Sequence, residues 1–373
     1  MLDTLLTADH LAVKDMCGAI ATDVVAPNAR QAEADGAVPP NVWKALVETG
    51  LMQAVDEKLG GSGVPDTLTH VIAAESLAYG DPGIALAALW NGAVAFLLGQ
   101  HGGKTHRDQL DQLLSDVDLR AGLAVYEGYG RGPDESTTTI ERSAVGDVRI
   151  SGRKVAVPFA GTAAFYLVVG VDPATGGLRL ATVQADTPGV TVAPYDGALA
   201  LQAAALGTVG FDVTVPESAL VGGVETDGAS LLASIQRVRL LVAAAQLATG
   251  QRAVDYASKY ATERIAFGQP IAAFQGISFP LAEAQMRLAQ LRLEIEEAAS
   301  RLDLDDFKDH SDAIGAALAY AAEIGPEAGR TGVQTLGGHG FIKDHPVEIW
   351  YRSSAALSAL DFDPHATPFT AAL

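Results

Sequence analysis

Between Phe165 and Val215 the chain carries four short runs rich in β-branched and aromatic residues: FYLVVGV, LRLATVQA, GVTVAP and GTVGFDVTV. Turn signals such as DPATGG separate them, and no helical periodicity intervenes. On both sides of this stretch the apolar spacing is helical. That order, helices then strands then helices, constrains the fold more than any other feature. Regular short strands without intervening helices predict an antiparallel barrel or sandwich.

In the first block, PPNVWKALVETGLMQAV places Trp43, Leu46, Val47 and Leu51 on one helical face. Pro39 and Pro40 precede that helix and Gly50 lies near its end, as start and stop signals. LTHVIAAESLAYGD and GIALAALWNGAVAFLLGQHG predict two more helices. The second is apolar nearly all round, which predicts a helix buried in a bundle. In the last block, PLAEAQMRLAQLRLEIEEAASRLD repeats apolar residues at Leu281, Ala284, Leu288, Leu291, Ile295, Ala298 and Leu302. Steps of three and four residues mark the seam of a bundle helix. The expected fold class is α+β. It has an N-terminal helical domain (1–121), a middle β domain (122–224) and a C-terminal four-helix-bundle domain (225–373). No solenoid repeat is visible.

With 373 residues, 49% of them hydrophobic and 19% charged, the chain is globular rather than disordered. A formal charge of −20 argues against nucleic acid as the main partner, because phosphate binding needs a basic surface. The single cysteine, Cys17, sits in an apolar helix-like stretch and reads as a core residue. The N-terminus MLDTLLTADHLAVKDM has acids where a signal peptide would carry a basic start, and the longest apolar stretches are Ala-rich and read as too short to span a bilayer. A soluble cytoplasmic protein is expected.

Most motif-like stretches read as loops. GGSGVP and EGYGRGPD lack the strand, helix and distal acid of a dinucleotide fold. RLDLDDFKDHSD lacks the central glycine and terminal glutamate of a calcium loop and reads as a helix–helix connection. The eight histidines show no zinc-type spacing, so no metal is expected. Two stretches remain: YATERIAFGQPIAAFQG (260–276) and GVQTLGGHGFIKDHPVEIWYRSS (332–354). An arginine, two glutamines and clustered glycines suit a pyrophosphate and a base. Helix caps and a surface charge would give the same residues, and the residues alone leave both readings open.

Here the sequence resembles the acyl-CoA dehydrogenase family, with the same block order over essentially the whole chain. NVWKALVETGLMQAVDEKLGGSGV is similar to the family's N-terminal W-x-x-L-x-x-x-G-L … GG-x-G pattern, and VTVPESALVGG to the edge of its β domain. RIAFGQPIAAFQ and QTLGGHGF resemble its two strongest signatures. The resemblance implies FAD bound between subunits of a dimer, usually within a tetramer. It implies an acyl-CoA substrate and an electron-transferring flavoprotein as electron acceptor. Arg264, Phe267, Gln275, Gln334, Gly337 and Gly338 would then reach the pyrophosphate and adenosine end of a neighbour's FAD.

The family's own-subunit flavin contacts come from an L-T-E-P…G-S loop and a W/F-I-T/S-N strand. Here AVYEGYGRGPDES and GRKVAVPFAG stand in those places. Glu127 is retained as a cofactor-binding candidate. Tyr126 replaces the threonine, Gly128 the proline, Ala156 the aromatic residue and Pro158 the hydroxyl that would hydrogen-bond flavin N5. Family chemistry removes an α-proton beside a thioester while hydride leaves the β-carbon for the flavin. Counting nine residues from Arg352, the expected base position is Asp361, one methylene shorter than the usual glutamate. The family's alternative base position falls on Val238, before Arg239, and is closed. The terminal DPHATPFTAAL is Pro-broken, so no covering helix is expected there. Asp361 is therefore either a base or a terminal cap. The persistence of the neighbour-facing set beside a changed own-flavin set suggests two main readings, with a flavin oxidase using an Asp base as a minor further one. One is a homomeric dehydrogenase. The other is a subunit, or an acyl-CoA-binding module, that completes the FAD site of a second acyl-CoA dehydrogenase-like partner.

Overall fold

Three of the helices in the N-terminal block start where capping side chains stand. A computed structural model describes residues 6–128, 136–143, 146–223, 228–304 and 311–360. Thr7 and His10 form a reciprocal cap on α1 (Ala8–Ile20). The chain then passes through a π-helical turn (Ala21–Val25) into α2 (Ala26–Asp35). Pro27 has no N–H to continue an α ladder, which accounts for the wide turn just before it. α3 spans Pro40–Val47 and ends before Gly50, whose φ of 76° suits glycine alone. The helix expected to continue through Leu51 instead gives way to a short 3-10 turn, Leu51–Gln53. Asp66 caps α4 (Thr67–Ala78) and Asp81 caps α5 (Pro82–His101). α6 covers Arg107–Ser115.

α5 is buried on every side, as its unbroken apolar composition predicts. It corrects one expectation. At 20 residues α5 is long and apolar enough to cross a membrane, and so is the long helix α7 (Gly228–Glu263) described below. Their most apolar windows are 94% and 89% buried inside the protein, so packing rather than shortness accounts for them.

The middle block is a seven-stranded sheet in the order β1-β4-β2-β3-β7-β6, with β5 also paired to β4. The strands are β1 (Ala121–Ala124), β2 (Thr139–Arg142), β3 (Asp147–Val157), β4 (Phe165–Val171), β5 (Leu178–Gln184), β6 (Val190–Pro194) and β7 (Gly207–Pro216). The four runs read from the sequence are β4 to β7. The pairings β2–β3, β3–β7, β4–β5 and β6–β7 are antiparallel, as expected, whereas β1 and β2 meet β4 in parallel. A parallel pair needs a long crossover; the β2–β3 hairpin supplies it between β1 and β4, and strand β3 between β2 and β4.

The C-terminal block packs α7, α8 (Gln275–Leu304), α9 (Ser311–Leu336) and α10 (Val347–Leu357) together. A two-residue hairpin, β8 (Ile265–Ala266) and β9 (Gln269–Pro270), joins α7 to α8. On α8 the buried residues are Leu281, Ala284, Leu288, Leu291, Ile295, Ala298 and Ala299, and Leu302 packs against their edge. The predicted seam is therefore the helix's inner face. One core spans the N-terminal helices and the sheet, and a second fills the bundle. α4 and α5 feed both, so the three blocks are packed around shared helices.

Candidate active site

β3 and β7 pair in register from Asp147 to Lys154, then slip. Lys154 faces Val209 and Val157 faces Gly207, so β3 carries one extra residue, a β-bulge. Within it Ala156 takes a φ of 51°, a left-handed conformation costly for a side chain with Cβ. Its N–H leaves the ladder and donates to the Tyr195 hydroxyl at 3.0 Å. The preceding N–H, of Val155, donates to Tyr126 O at 2.8 Å.

The bulge opens onto a cavity of about 910 Å³. Its walls come from the end of α2 (Glu33–Gly36), the bulge (Val155, Ala156), the 194–206 segment after β6, and the end of α10 with the residues beyond it, up to Leu360. Gly128, Gly161 and Gly197 lie on the wall, and a Cβ at each would meet little or nothing. Main chain is therefore accessible to a flat ligand. Leu201 and Ala205, also on the wall, share the left-handed conformation of Ala156. Left-handed non-glycine residues concentrate at this one place, as strained backbone does at ligand sites.

An ion network clamps the 194–206 segment. Arg352 on α10 donates to the Leu199 carbonyl and pairs with Glu33 at 2.6 Å and Glu348 at 2.7 Å. Arg30 reaches Glu33 at 3.1 Å and Glu348 at 2.5 Å. Burial pushes the Glu33 carboxyl up, but Arg352 and Arg30 outweigh it and hold it below its ordinary value. Glu33 is thus a poor proton acceptor, although it lines the cavity.

Glu127 lies behind the bulge. Lys154 Nζ sits 2.8 Å from its carboxylate and donates also to Val125 O at 2.9 Å. Ser136, Thr137 and Thr138 donate to the same carboxylate. Burial opposes the charge, but Lys154 and these donors hold the Glu127 carboxyl well below the usual range. Its chain neighbour Gly128, not Glu127 itself, is on the cavity wall.

Asp361 lies outside the described residues. Leu360, one residue before it, lines the cavity. The remaining candidates lie elsewhere in the subunit, and none lines the cavity. Arg264, Gln275 and Gln334 are exposed and have no side-chain partner among the described residues, and Gly337 and Gly338 are exposed turn residues. Phe267, at the β8–β9 tip, has a φ of 53° and is 95% exposed. Tyr260, one turn before Arg264, contacts His339 Nδ1 at 2.9 Å, between Gly338 and Gly340. That contact brings both signature segments to one end of α7.

Two domain models match the chain: acyl-CoA dehydrogenase, N-terminal domain, over residues 7–115, and acyl-CoA dehydrogenase, C-terminal domain, over residues 228–361. Together they span well over half of it. The chain belongs to the acyl-CoA dehydrogenase family. It is 29% identical over 365 residues to "Probable acyl-CoA dehydrogenase YngJ" of Bacillus subtilis, covering 94% of each chain. It is 26% identical over 355 residues to "Probable acyl-CoA dehydrogenase FadE25" of Mycobacterium tuberculosis, covering 94% of this chain and 90% of that one. A glutaryl-CoA dehydrogenase from Mycobacterium smegmatis, solved in complex with FADH2, shares the fold with a TM-score of 0.84 at 18% identity, over 97% of this chain and 93% of that one.

Three features of this family member escaped the sequence reading. Lys154 had a visible signal: with Val148, Ile150 and Gly152 it falls on the inward alternation of β3, where a lysine requires a buried anion. The Arg352–Glu33 clamp joins residues 319 apart in the chain. Tyr195 follows β6 without any periodic or motif context.

Proposed function

We propose that this chain is an FAD-dependent acyl-CoA dehydrogenase-type protein that forms an α,β-double bond in an acyl-CoA thioester. The observation that carries this reading is the cavity between the β3 bulge and the end of α10. Its glycine-rich wall suits a flat ring, and Leu360, the residue before the candidate base Asp361 in the sequence, lines it. FAD, when bound, supplies a hydride acceptor. Gly128, Ala156 and the 194–206 segment would hold its ring end. Asp361 would take the α-proton of the thioester as hydride leaves the β-carbon, and exclusion of water from an apolar site would raise its basicity. The acceptor in this reading is an electron-transferring flavoprotein.

The exposed, uncommitted Arg264, Gln275 and Gln334, with Gly337 and Gly338, support a role at the pyrophosphate and adenosine end of an FAD held by a neighbouring subunit. Arg supplies charge, the turn supplies main-chain approach, and glutamine suits base edges. A dimer or tetramer is the assembly this requires. Mixing the purified protein anaerobically with saturated acyl-CoA thioesters tests the reading: the flavin's visible band should bleach as an enoyl-CoA appears. A yellow protein that no acyl-CoA bleaches would refute it.

A second reading, a subunit that completes a partner's FAD site without turning over itself, is favoured by the commitment of Glu127 to Lys154 and by Ala156 and Pro158 in the flavin-facing strand. It predicts a colourless homomer that gains FAD only when a second family member is co-expressed.

A further inference from the structure

We propose that the Tyr195 phenol is the hydroxyl presented to the flavin edge in this cavity, taking the place that Pro158 leaves without a donor. The inference rests on the FAD-dependent reading above. Along the bulge the main-chain donors are spent inside the protein. Val155 N–H goes to Tyr126 O, Phe159 N–H to Ala204 O at 3.0 Å and Ala160 N–H to Ala205 O at 3.1 Å. Pro158 has no N–H. The Ala156 N–H, turned out of the ladder by its left-handed φ, is taken by Tyr195 at 3.0 Å.

That contact sets the phenol's polarity. A tyrosine hydroxyl has one proton to donate and an oxygen able to accept. The oxygen accepts from Ala156 N–H and, more weakly, from Thr208 Oγ1 at 3.4 Å. The proton remains to be donated, and Tyr195 lines the cavity with part of its surface exposed. The main chain of Tyr195 is also anchored. The Tyr195 N–H donates to Leu206 O at 3.0 Å and its carbonyl accepts from Ala198 N–H at 3.3 Å. The relay from Ala156 N–H through the phenol thus carries a main-chain donor outward from the bulge, and it polarises the O–H. Thr162 brings a second hydroxyl to the wall, but only Tyr195 is coupled to the bulge.

A hydrogen bond donated to the atom that accepts the hydride withdraws electron density from it and fixes its position, so Tyr195 is a positioning and tuning residue for the hydride acceptor. The test compares the wild-type protein with Tyr195→Phe, Thr162→Val and the double variant Tyr195→Phe/Pro158→Thr. The measurements are the visible flavin spectrum, the midpoint potential, the rate of anaerobic reduction by an acyl-CoA, and the melting temperature of the apoprotein. Tyr195→Phe is expected to shift the flavin band, change the potential and slow reduction about tenfold. Pro158→Thr in that background is expected to restore the spectrum and potential in part. A Tyr195→Phe protein with lowered melting temperature but unaltered spectrum, potential and reduction rate overturns the inference, because the phenol then only caps Ala156. A shift produced by Thr162→Val instead also overturns it. A wild-type protein that binds no FAD refutes the functional reading, and this inference with it. A wild type that binds FAD beside an unshifted Tyr195→Phe removes this inference alone.

Discussion

Lys154 and Glu127 meet at 2.8 Å with side chains 1% and 2% exposed, making a fully enclosed ion pair directly behind the β3 bulge. Such a pair is held together by what its loss would leave behind. An unpaired buried charge costs about 3–5 kcal/mol.

Glu127→Gln is therefore expected to lower unfolding free energy by about that amount, because Lys154 loses its counter-charge. Replacing both residues, as Glu127→Gln/Lys154→Met, should recover much of the loss. Denaturant unfolding of the two single variants and the pair measures this. Additive losses in the pair would show that the two side chains act independently.

Asp81 caps α5 by accepting from Ile84 N–H at 2.8 Å. Burial pushes its carboxyl up to about 6, with Glu33 adding to the effect and the N–H groups of Ile84 and Gly83 opposing it. The folded value lies above the unfolded one, near 4. Its contribution to stability is complete below pH 4 and fades as pH rises through 6. Asn keeps the capping oxygen without the charge. Asp81→Asn should gain up to about 2 kcal/mol over the wild type at neutral pH, and that advantage should vanish near pH 4. Melting curves across this range check the sign.

Cys17 is completely buried, and burial pushes its thiol up to about 12. A thiol with so little thiolate reacts slowly. An aromatic disulfide reagent should release no colour from the native protein and one equivalent after denaturation. Rapid native labelling would show that α1 opens.

Arg352 grips Glu33, Glu348 and the Leu199 carbonyl at once, a fork that lysine cannot reproduce. Arg352→Lys should free the 194–206 segment, exposing it to limited proteolysis and weakening ligand retention several-fold. Proteolytic fragments identical to those of the wild type would argue against the clamp.

On α8, opposite the buried seam, Phe279, Met286 and Leu293 are exposed at seven-residue intervals. Phe267 at the β8–β9 tip is exposed too, and in the intersubunit reading a second subunit would cover this apolar surface of α8. Phe279→Glu with Met286→Glu should reduce the sedimenting mass to that of one chain and, in the intersubunit reading, release FAD. An unchanged mass would place the subunit contact elsewhere.

How far the sequence reaches depends on the range of the interaction. The α8 seam was legible because a helix buries every third or fourth residue in order, and the runs that became β4 to β7 were legible because β-branched residues cluster there. β1 was not, since AGLA is four small residues whose burial comes from neighbours rather than from their own character. β3 hid behind its charges: Arg149 and Arg153 face outward while Lys154 turns in, which makes the strand look polar. The exposed family signatures were readable as motifs, but the cavity was not. Its walls are segments from five separate parts of the chain, and the Ala156–Tyr195 contact that shapes it joins residues 39 apart.

Gly36 and Gly197 on the cavity wall are left-handed, but so are four residues at or beside it that carry a Cβ: Ala156, Phe159, Leu201 and Ala205. Each is held at a cost of about 1–3 kcal/mol by its surroundings. Glycine would sit there without strain but would let the backbone wander. The wall therefore behaves as a cast mould rather than a glove. It should accept a narrow range of ligand shapes tightly, and its selectivity should change when the mould is softened at any one of these four positions.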